Sequence, residues 1–499
     1  MSFQFRQLAI AVAILSTASF AQAAGLDRST QPSWGFTQDG TFAYIEHVTI
    51  DPSIEGKDSS GHKVGDVAED YHFLNFGAKA DINDSISVGA FFDQPWGADV
   101  QYSGNNNFVG APTNFINGVY AQTAKTLQSQ GLNLPISNAT DLQNAITTIN
   151  NQVNAGQAQL TAAQTGLNQL LRIPNPSAAQ QAQIAALQQG ITAGTAQLTA
   201  GKKALGSLQQ VQKTTNNLAN LRDGTNVSVS SKNITGLIGF KFGQNKNFQV
   251  YGGPALQKLE ADIHLRGDAY STATGSAAGY DLSVPSNTAV GWMAGIAYSK
   301  PEIALKAALT YRSEIDHDLH VSEDFPVLAL RGINPSQAHR TTVTTPESVN
   351  LDFQTGLNKT TLLTAKLRWV PWSKFSVTPK LYNSATQYNL VDYKDDSWTA
   401  DIGLGKKLSD KWAVTGSLGW DSGAGDRDPT TTLGPVDGNW NIGLGARYNI
   451  TPEWAVSAGA KYLKFGDATA QLPNHINNVG KFENNDGMVY GLRLSYQKK

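Results

Sequence analysis

The sequence predicts an all-β transmembrane barrel of about 14 antiparallel strands, with a short N-terminal plug and an α-helical hairpin inserted in an extracellular loop. Three observations lead to this fold class: apolar and polar residues alternate along the strands, aromatic residues end the apolar stripes, and short connections alternate with long ones. Segment 303–316, "IALKAALTYRSEID", shows the alternation clearly. In such a barrel Leu305 and Leu309 face lipid, whereas Lys306 and Arg312 face an aqueous lumen.

Three segments near the C-terminus place aromatic residues eight positions apart on one face of a strand. They are 412–420, 440–448 and 454–462, each beginning with Trp and ending with Trp or Tyr. Eight residues of strand span about 26 Å, and a tilt near 40° projects this to roughly 20 Å. That distance approximates the height of the apolar band of an outer-membrane barrel, whose interfaces are rich in Trp and Tyr.

Short polar links alternate with long loops along the chain. The predicted short links are 83–84, 244–247, 300–301, 358–359, 409–410 and 451–452. The predicted long loops are 51–68, 97–225, 263–286, 317–345, 373–395, 422–436 and 466–485. Together these connections join an even number of strands, which lets the sheet close without an edge. Closure is required in lipid because each unpaired backbone group there costs several kcal/mol.

The start of the chain is predicted to be a signal peptide, residues 1–23, with a basic Arg6, an apolar run and a small-residue cleavage site. Residues 24–40 then form the plug segment, and 41–499 form the barrel. Without Arg6 the chain keeps 37 basic and 40 acidic residues, a balance that gives no indication of nucleic-acid binding. The chain contains no cysteine, so it has no disulfides.

One long segment has a helical rather than a strand pattern. Residues 142–171 and 184–208 repeat Leu, Ile and Val at three- and four-residue spacing, on either side of the proline-containing "RIPNPSA". We predict an antiparallel helical hairpin within an insertion at 112–222, in the loop between the third and fourth strands and outside the cell. The alternative interpretation is a disordered loop rich in Gln and Ala.

The sequence gives no specific signal for catalysis, a cofactor or a metal. It lacks a phosphate-binding glycine loop, a zinc-type spacing of ligands and a nucleophile elbow. Segment 314–324 clusters acids with His317 and His320, which is compatible with a divalent cation, but a solvated acidic loop is the simpler interpretation. We therefore predict no enzyme activity, no cofactor and no metal site.

The inner face of the barrel is the predicted place for a binding site. The cations predicted to meet a carboxylate head group are Lys306, Arg312, Lys366 and Arg368, and the residues predicted to contact an apolar chain are Phe91, Tyr251 and Met293. In the alternative interpretation the four cations pair with lumen acids such as Asp352 and Asp401.

The third strand carries candidates for a lateral gate: Gly89, Pro95 and Gly97. Proline cannot donate to a sheet ladder, so the ladder is expected to loosen by Pro95. In one interpretation Pro95 only starts the outer loop. In the other, Gly89 marks an inward kink that opens a lateral gap, which is tolerated at membrane depth only where the backbone lines a cavity.

Several of these segments resemble the FadL family of outer-membrane transporters for long-chain fatty acids and other hydrophobic compounds. The resemblance lies in 76–102, in "ALTYRSEID" at 308–316 and in the hairpins around Trp412 and Trp454, and it extends over roughly 70–102 and 230–499. It implies a fourteen-stranded monomeric barrel with an N-terminal plug, an apolar lumen pocket and sideways release at a kink in the third strand. The plug lacks the family's usual Asn-Pro-Ala motif, and the helical insertion has no counterpart in the family pattern.

We therefore predict an outer-membrane channel of a Gram-negative bacterium, which takes up hydrophobic or amphipathic molecules such as long-chain fatty acids by passive diffusion. Its partners are the lipid bilayer and a hydrophobic small molecule. The main alternative is a surface-display or adhesion barrel whose helical hairpin binds a protein or a second copy of the chain. An outer-membrane lipid enzyme is disfavoured because no catalytic triad stands out.

Overall fold

The structure is a computed structural model. It describes residues 26–28, 33–271, 277, 279–424, 429–472 and 478–498. The predicted signal peptide lies outside the described residues, as do 24–25 and 29–32 of the predicted plug segment.

Fourteen antiparallel strands form the barrel wall, as the sequence predicts. Labelled β1 to β14 in chain order, they are Thr41–Ser53, Tyr71–Asp81, Ile86–Asp93, Asn226–Phe242, Phe248–His264, Asp281–Lys300, Leu305–Arg312, Ser348–Asn358, Thr361–Val370, Ser397–Lys407, Trp412–Asp421, Asp437–Asn449, Trp454–Gly466 and Asp486–Lys498. The third strand resumes after β3 as Gly97–Gln101, which we call β3′. Strand β14 pairs with β1 from Thr41↔Lys498 to Ser53↔Asp486, and this pairing closes the barrel.

The two ends of the barrel differ as predicted. All six predicted short links connect consecutive wall strands, and they lie at the same end as the start of β1 and the end of β14. We call this the short-turn end and the opposite one the long-loop end. The long-loop end carries a sheet of five short strands: Gly56–Asp58, Lys63–Val64, Pro429–Thr431, Ala468–Gln471 and Asn478–Phe482.

Asp58 fixes a turn in this outer sheet. Burial by itself raises the pKa of Asp58, but its carboxylate accepts hydrogen bonds from the backbone N–H groups of Asn107, His62 and Ser60. The His62 ring adds another contact at 2.9 Å. These hydrogen bonds outweigh burial, so the pKa of Asp58 lies below its ordinary value and the carboxylate stays ionised.

The alternation of the wall strands separates an apolar outside from a closed inside. On β7, the Leu309 side chain is 44% exposed, whereas Thr310 and Arg312 are buried. The exposed apolar residues continue on β12, where Leu444 is 69% exposed. Because the exposed side is the apolar one, the outside of this barrel suits lipid rather than water.

Aromatic side chains end the apolar stripes and form rows across neighbouring strands. Near the short-turn end, the rings of Trp412 and Tyr448 lie 4.9 Å apart between centroids. Near the long-loop end, Trp420 and Trp440 lie 6.3 Å apart. The two belts lie eight residues apart along a strand, and this interval matches the distance between the two interfaces of a bilayer.

The helices of the insertion form a compact unit of their own, residues 110–222 together with 325–335. After the short plug helix α1, Ser33–Phe36, the helices in chain order are α2 (Thr113–Ser129), α3 (Ala139–Leu171), α4 (Ala178–Ala219) and α5 (Lys380–Thr386), of which α2 to α4 belong to this unit. The sequence pattern indicated α3 and α4 but not α2. No helix in the described part of the chain is both long and apolar enough to cross a membrane.

Helix caps and glycines explain why α3 and α4 form a hairpin. The Asn138 side chain accepts a hydrogen bond from the backbone of Asp141 at the start of α3, and Ser177 with Gln180 forms a capping box at the start of α4. A Cβ atom built on Gly201 of α4 would lie 3.0 Å from a Val153 methyl group of α3, closer than an ordinary contact. Glycine at this position therefore lets the two helices approach closely.

The inside–outside assignment of the wall can be tested at Leu444, midway between the two aromatic belts. Leu444→Arg should destabilise the barrel by about 2–4 kcal/mol, since it places a charge at the centre of the bilayer. Leu408→Arg is the matched control, because Leu408 is exposed to a similar degree, 62% against 69%, but lies in a short turn beyond Trp412. Urea unfolding in lipid measures both, and equal losses would contradict the assignment.

Candidate functional site

The third strand leaves its neighbour β2 part-way along the wall. Pairing between β2 and β3 ends at Phe76↔Phe92. On the other side, pairing with β4 continues from Asp93↔Asn233 to Gly97↔Ser230, so four steps along the third strand match three along β4. The third strand therefore contains a bulge around Pro95, which bends it away from β2.

Beyond the bulge the wall has an opening. The next contacts with the third strand come from the segment that precedes β2 in the chain. They are the Ala68↔Val100 bridge and the hydrogen bond from the Glu69 N–H to the Asp99 carbonyl. Among the described residues, no ladder hydrogen bond joins 71–75 to 94–98. We call the opening between these two segments the wall window.

The start of the chain supplies the backbone partners that β2 does not. The Arg28 N–H donates to the Pro95 carbonyl at 2.8 Å, and the Gly97 N–H donates to the Leu26 carbonyl at 2.9 Å. Asp27 lies opposite Trp96 in an antiparallel bridge. Residues 26–28 thus act as a short strand beside the bulge and satisfy backbone groups that would otherwise be unpaired.

Side chains fill the wall window. The Arg28 guanidinium lies over the Tyr71 ring, 3.6 Å from its centroid. The Tyr71 hydroxyl lies 2.7 Å from both the N and the O of Asp99, so it bridges β2 to the third strand. A Cβ atom on Gly97 would lie 2.5 Å from the Arg28 guanidinium carbon, which shows that this arrangement requires glycine. The window is closed in this structure.

An apolar pocket lies directly behind the wall window. Its volume is about 750 Å³ including the open space at its mouth. Leu26, Trp96 and Ala98 belong both to the pocket lining and to the segments that form or close the window. Val227, Leu259, Leu282 and Trp372 are among the residues that complete the lining, and none of the lining residues that the structure describes is charged.

The three apolar lumen candidates pack around the plug instead of lining this pocket. Phe91, Tyr251 and Met293 are buried in one cluster with Phe36 of α1. The Phe36 ring lies 6.3 Å from the Phe91 ring and 5.3 Å from the Tyr251 ring, measured between centroids. The Tyr251 hydroxyl is also bonded to Thr310 at 2.6 Å. These residues therefore hold the plug in place.

The four cationic candidates have partners in the wall or the plug. Lys306 donates to the Thr37 carbonyl at 2.7 Å, and Arg368 donates to Asp27 at 2.7 Å. The remaining two pair with carboxylates, Arg312 with Asp93 at 3.3 Å and Lys366 with Asp352 at 3.5 Å. Such contacts are what the alternative interpretation describes, in which the cations pair with groups of the protein instead of a substrate carboxylate. None of the four belongs to the described lining of the apolar pocket.

The predicted kink at Gly89 is wrong. The ladder runs unbroken through Gly89 on both sides, from Ser87 to Phe92 against β2 and from Ile86 to Asp93 against β4. A Cβ atom on Gly89 would lie 3.1 Å from the Phe36 ring, so its small size accommodates the plug.

The interpretation that Pro95 only starts the outer loop is also wrong, because the strand resumes as β3′. The bulge lies where the sequence has Pro95 and Gly97. These two residues remain candidates for the lateral gate.

The residues that line the pocket were missed, although the sequence carries a signal for them. In the membrane-spanning part of β4, the outward residues Ile234 and Ile238 are apolar. Towards the long-loop end the pattern reverses, and the inward residue Val227 is apolar while its neighbour Ser228 faces outward. This change of phase marks the point where a strand leaves the lipid and begins to enclose an apolar interior.

Segment 314–324, where the sequence clusters acids with His317 and His320, is the part of the chain most compatible with a cation site. In the part of the chain that the structure describes, no group of three or more His, Asp or Glu side chains could hold a metal ion. His317 bonds to Asn287 and Gln257, while the His320 ring accepts a hydrogen bond from Arg340. The two histidines are thus held in separate hydrogen-bond networks.

The comparison with known families agrees with this geometry. A model of the family described as "Outer membrane protein transport protein (OMPP1/FadL/TodX)" matches residues 133–497, well over half of the chain. The chain belongs to this family. The resemblance seen in the sequence is confirmed, and the protein is an outer-membrane protein of the Gram-negative type. The family is one of transport proteins rather than enzymes.

Individual relatives are distant. Outer membrane protein P1 of Haemophilus influenzae is 24% identical over 220 residues, which cover 41% of this chain and about half (46%) of that protein. Among solved structures, a Pseudomonas aeruginosa FadL homologue aligns with a TM-score of 0.59 at 14% identity, over 96% of this chain and 97% of that one. The P. putida toluene transporter TodX aligns with a TM-score of 0.50 at 10% identity, over 93% and 92% of the two chains. At these identities the structures show the shared fold.

The role of Phe36 in holding the plug can be tested by Phe36→Ala. Replacing a core phenylalanine by alanine typically costs about 3–5 kcal/mol, so the plug should loosen and ion conductance in planar bilayers should rise. Phe92→Ala is the control, because Phe92 stacks on Phe76 at the outer face of the same strand as Phe91. If both variants conduct like the unmodified protein, Phe36 does not hold the plug.

Proposed function

We propose that the protein is a channel for passive uptake of hydrophobic or amphipathic molecules, of which long-chain fatty acids are one class. The solute collects in the apolar pocket and leaves sideways through the wall window into the bilayer. The observation that carries this proposal is that Leu26, Trp96 and Ala98 line the pocket and also border or close the window.

The chemistry of the pocket favours an apolar solute. The lining residues that the structure describes are uncharged, and most of them are aliphatic or aromatic, as is typical of sites for apolar small molecules. Transfer of apolar surface into such a site gains about 25 cal/mol per Å². An apolar pocket discriminates only weakly between molecules that differ by a methylene group, so the proposed substrate is a class rather than a single compound.

A lateral route avoids the polar remainder of the lumen. Below the pocket, the inner face of the barrel carries buried ion pairs such as Arg312–Asp93 and Lys461–Asp401, and an apolar molecule passing there would have to separate these paired charges. The wall window instead connects the pocket to the lipid-facing surface. TodX, a relative in fold, is named a toluene transporter, and this supports an apolar substrate class.

Opening the window requires Arg28 and Tyr71 to move. Residues 26–28 are bonded to the third strand by two backbone hydrogen bonds, and Arg28 covers Tyr71. In the proposed mechanism the N-terminal segment slides or detaches, and the bulge at Pro95 and Gly97 leaves an aperture at the membrane. Because the freed backbone groups line a cavity, water can satisfy them.

Filling the pocket at the window should block uptake. Ala98→Trp adds a large ring to the pocket lining beside Trp96, so entry of toluene or oleate into proteoliposomes should fall at least tenfold. Ala90→Trp is the matched control, because Ala90 lies on the same strand but faces outward. A hydrophilic sugar assayed in parallel separates this channel from a general porin. Undiminished uptake by Ala98→Trp, with the barrel folded, would refute the pocket as the route.

The alternative function, display of the helical hairpin to a partner, predicts a different response to deletion. Residues 142–201 contain a single charged residue, Arg172, so the hairpin surface is nearly neutral. Val109 and Gly224 form a β-bridge, so a short linker can replace 112–222. We expect the deleted protein to keep its uptake of apolar solutes, because the pocket and window are formed by other residues. Loss of uptake in a folded deletion variant would favour a role of the hairpin in transport.

A further inference from the structure

One side of the barrel interior is polar and remains unused by the proposed route. The inward positions of β10 to β14 carry mainly hydroxyl, amide, charged or glycine residues. Examples are Asp401, Thr415, Asn441, Arg447, Ser457 and Arg493. The apolar pocket draws its lining mainly from the third strand, from β4 to β6 and from the long-loop end. The polar side is therefore a separate environment within the same barrel.

Arg447 is the exceptional residue of this polar wall. It is only 5% exposed, and it lies on the inward face of β12 near the short-turn end. Its Nε donates to the Asn449 Oδ1 at 2.9 Å. Its Nη1 is buried without a hydrogen-bond partner, and no carboxylate of the described residues pairs with it. A buried guanidinium without an anion is costly, which indicates that the site is built for one.

The neighbours of Arg447 add donors and further positive charge. In the strand register Arg447 is opposite Ser457, and Ser457 is opposite Arg493. Arg493 is paired with Glu46 at 2.5 Å. Arg447, Ser457, Arg493 and Glu46 thus form a row across four neighbouring strands, which holds two guanidinium groups and one carboxylate. The hydroxyl oxygens of Ser457 and Thr415 are buried and have no hydrogen-bond partner among the described residues.

We propose that Arg447 and Ser457 form a binding site for a carboxylate on the polar wall of the lumen. A guanidinium offers two parallel N–H donors that match the two oxygens of a carboxylate, and a hydroxyl at the adjacent position supplies a third donor. Adjacent strands lie about 4.8 Å apart, so the Ser457 side chain is within reach of the same ligand. One carboxylate would balance the second positive charge of the row.

This site does not depend on the lateral route. None of the residues that form it lines the apolar pocket or the wall window. The carboxylate has two sources: a short, water-soluble acid that enters by the lumen, or the head group of an acid with an apolar tail. Both are bound by the same donors, and an experiment with matched probes distinguishes them.

The test is calorimetric titration of the purified full-length barrel in detergent with acetate, octanoate and methyl octanoate. Arg447→Gln should weaken octanoate binding at least tenfold and leave methyl octanoate unchanged, because only the acid carries the charge. Arg340→Gln is the control, since Arg340 is an exposed arginine bonded to His320 outside the wall strands. If Arg447→Gln weakens the binding of acetate as much as that of octanoate, the site recognises the carboxylate alone. If only octanoate weakens, the tail contributes to the site.

Two further variants keep the proposal testable if Arg447→Gln does not fold. Arg447→Lys retains the charge without the paired donors and should weaken octanoate by an intermediate factor, and Ser457→Ala should weaken it several-fold. Folding is checked by the mobility shift of heated against unheated barrel on a gel. The proposal is overturned if the unmodified protein binds neither acid. It is also overturned if the folded Arg447 variants bind octanoate like Arg340→Gln does. Failure of the transport proposal would appear separately, as absent uptake of methyl octanoate by the unmodified protein.

Discussion

The requirement that every backbone N–H and C=O in lipid be hydrogen-bonded governs the structure described here. Most of the wall strands meet it by pairing with both neighbours, and the pairing of β14 with β1 closes the sheet. The pairing of the third strand with β2 stops at Phe92, because Pro95 lacks a donor and the bulge carries the strand away from β2. At that place residues 26–28 supply the missing partners. The plug is therefore also part of the wall, and the proposed gate lies where residues 26–28 complete the backbone hydrogen bonding of the third strand.

The plug is held by contacts with strands around the barrel. Trp34 lies beneath Arg493 of β14, Phe36 packs on β3 and β5, and Asp27 pairs with Arg368 of β9. The lumen residues that the sequence suggested for substrate binding mostly serve this purpose. As a result the interior has distinct regions: a plug cluster, an apolar pocket behind the window and a polar wall.

The sequence was informative wherever structure depends on local periodicity. Three local features were sufficient to predict the barrel, its number of strands and the face that it turns to lipid. They are the alternation of apolar and polar residues, the positions of aromatic residues such as Trp412 and Trp440, and the short polar turns. The window and the pocket depend instead on contacts between distant segments, such as Arg28 with Tyr71 and Asp27 with Arg368. Periodicity contains no information about such pairings. Gly89 was misassigned for the same reason, since its small size accommodates Phe36, a residue 53 positions earlier.

The most direct test of the gate is a reversible cross-link between the N-terminal segment and the third strand. Asp27 and Trp96 are opposite each other in an antiparallel bridge of the non-hydrogen-bonded kind, with an expected Cα separation of about 4.5 Å, which suits a disulfide. The chain has no cysteine of its own, so Asp27→Cys with Trp96→Cys introduces a single pair. The oxidised protein should not take up toluene into proteoliposomes, and reduction of the same sample should restore uptake. Equal uptake in both states would show that solute passes without opening this window.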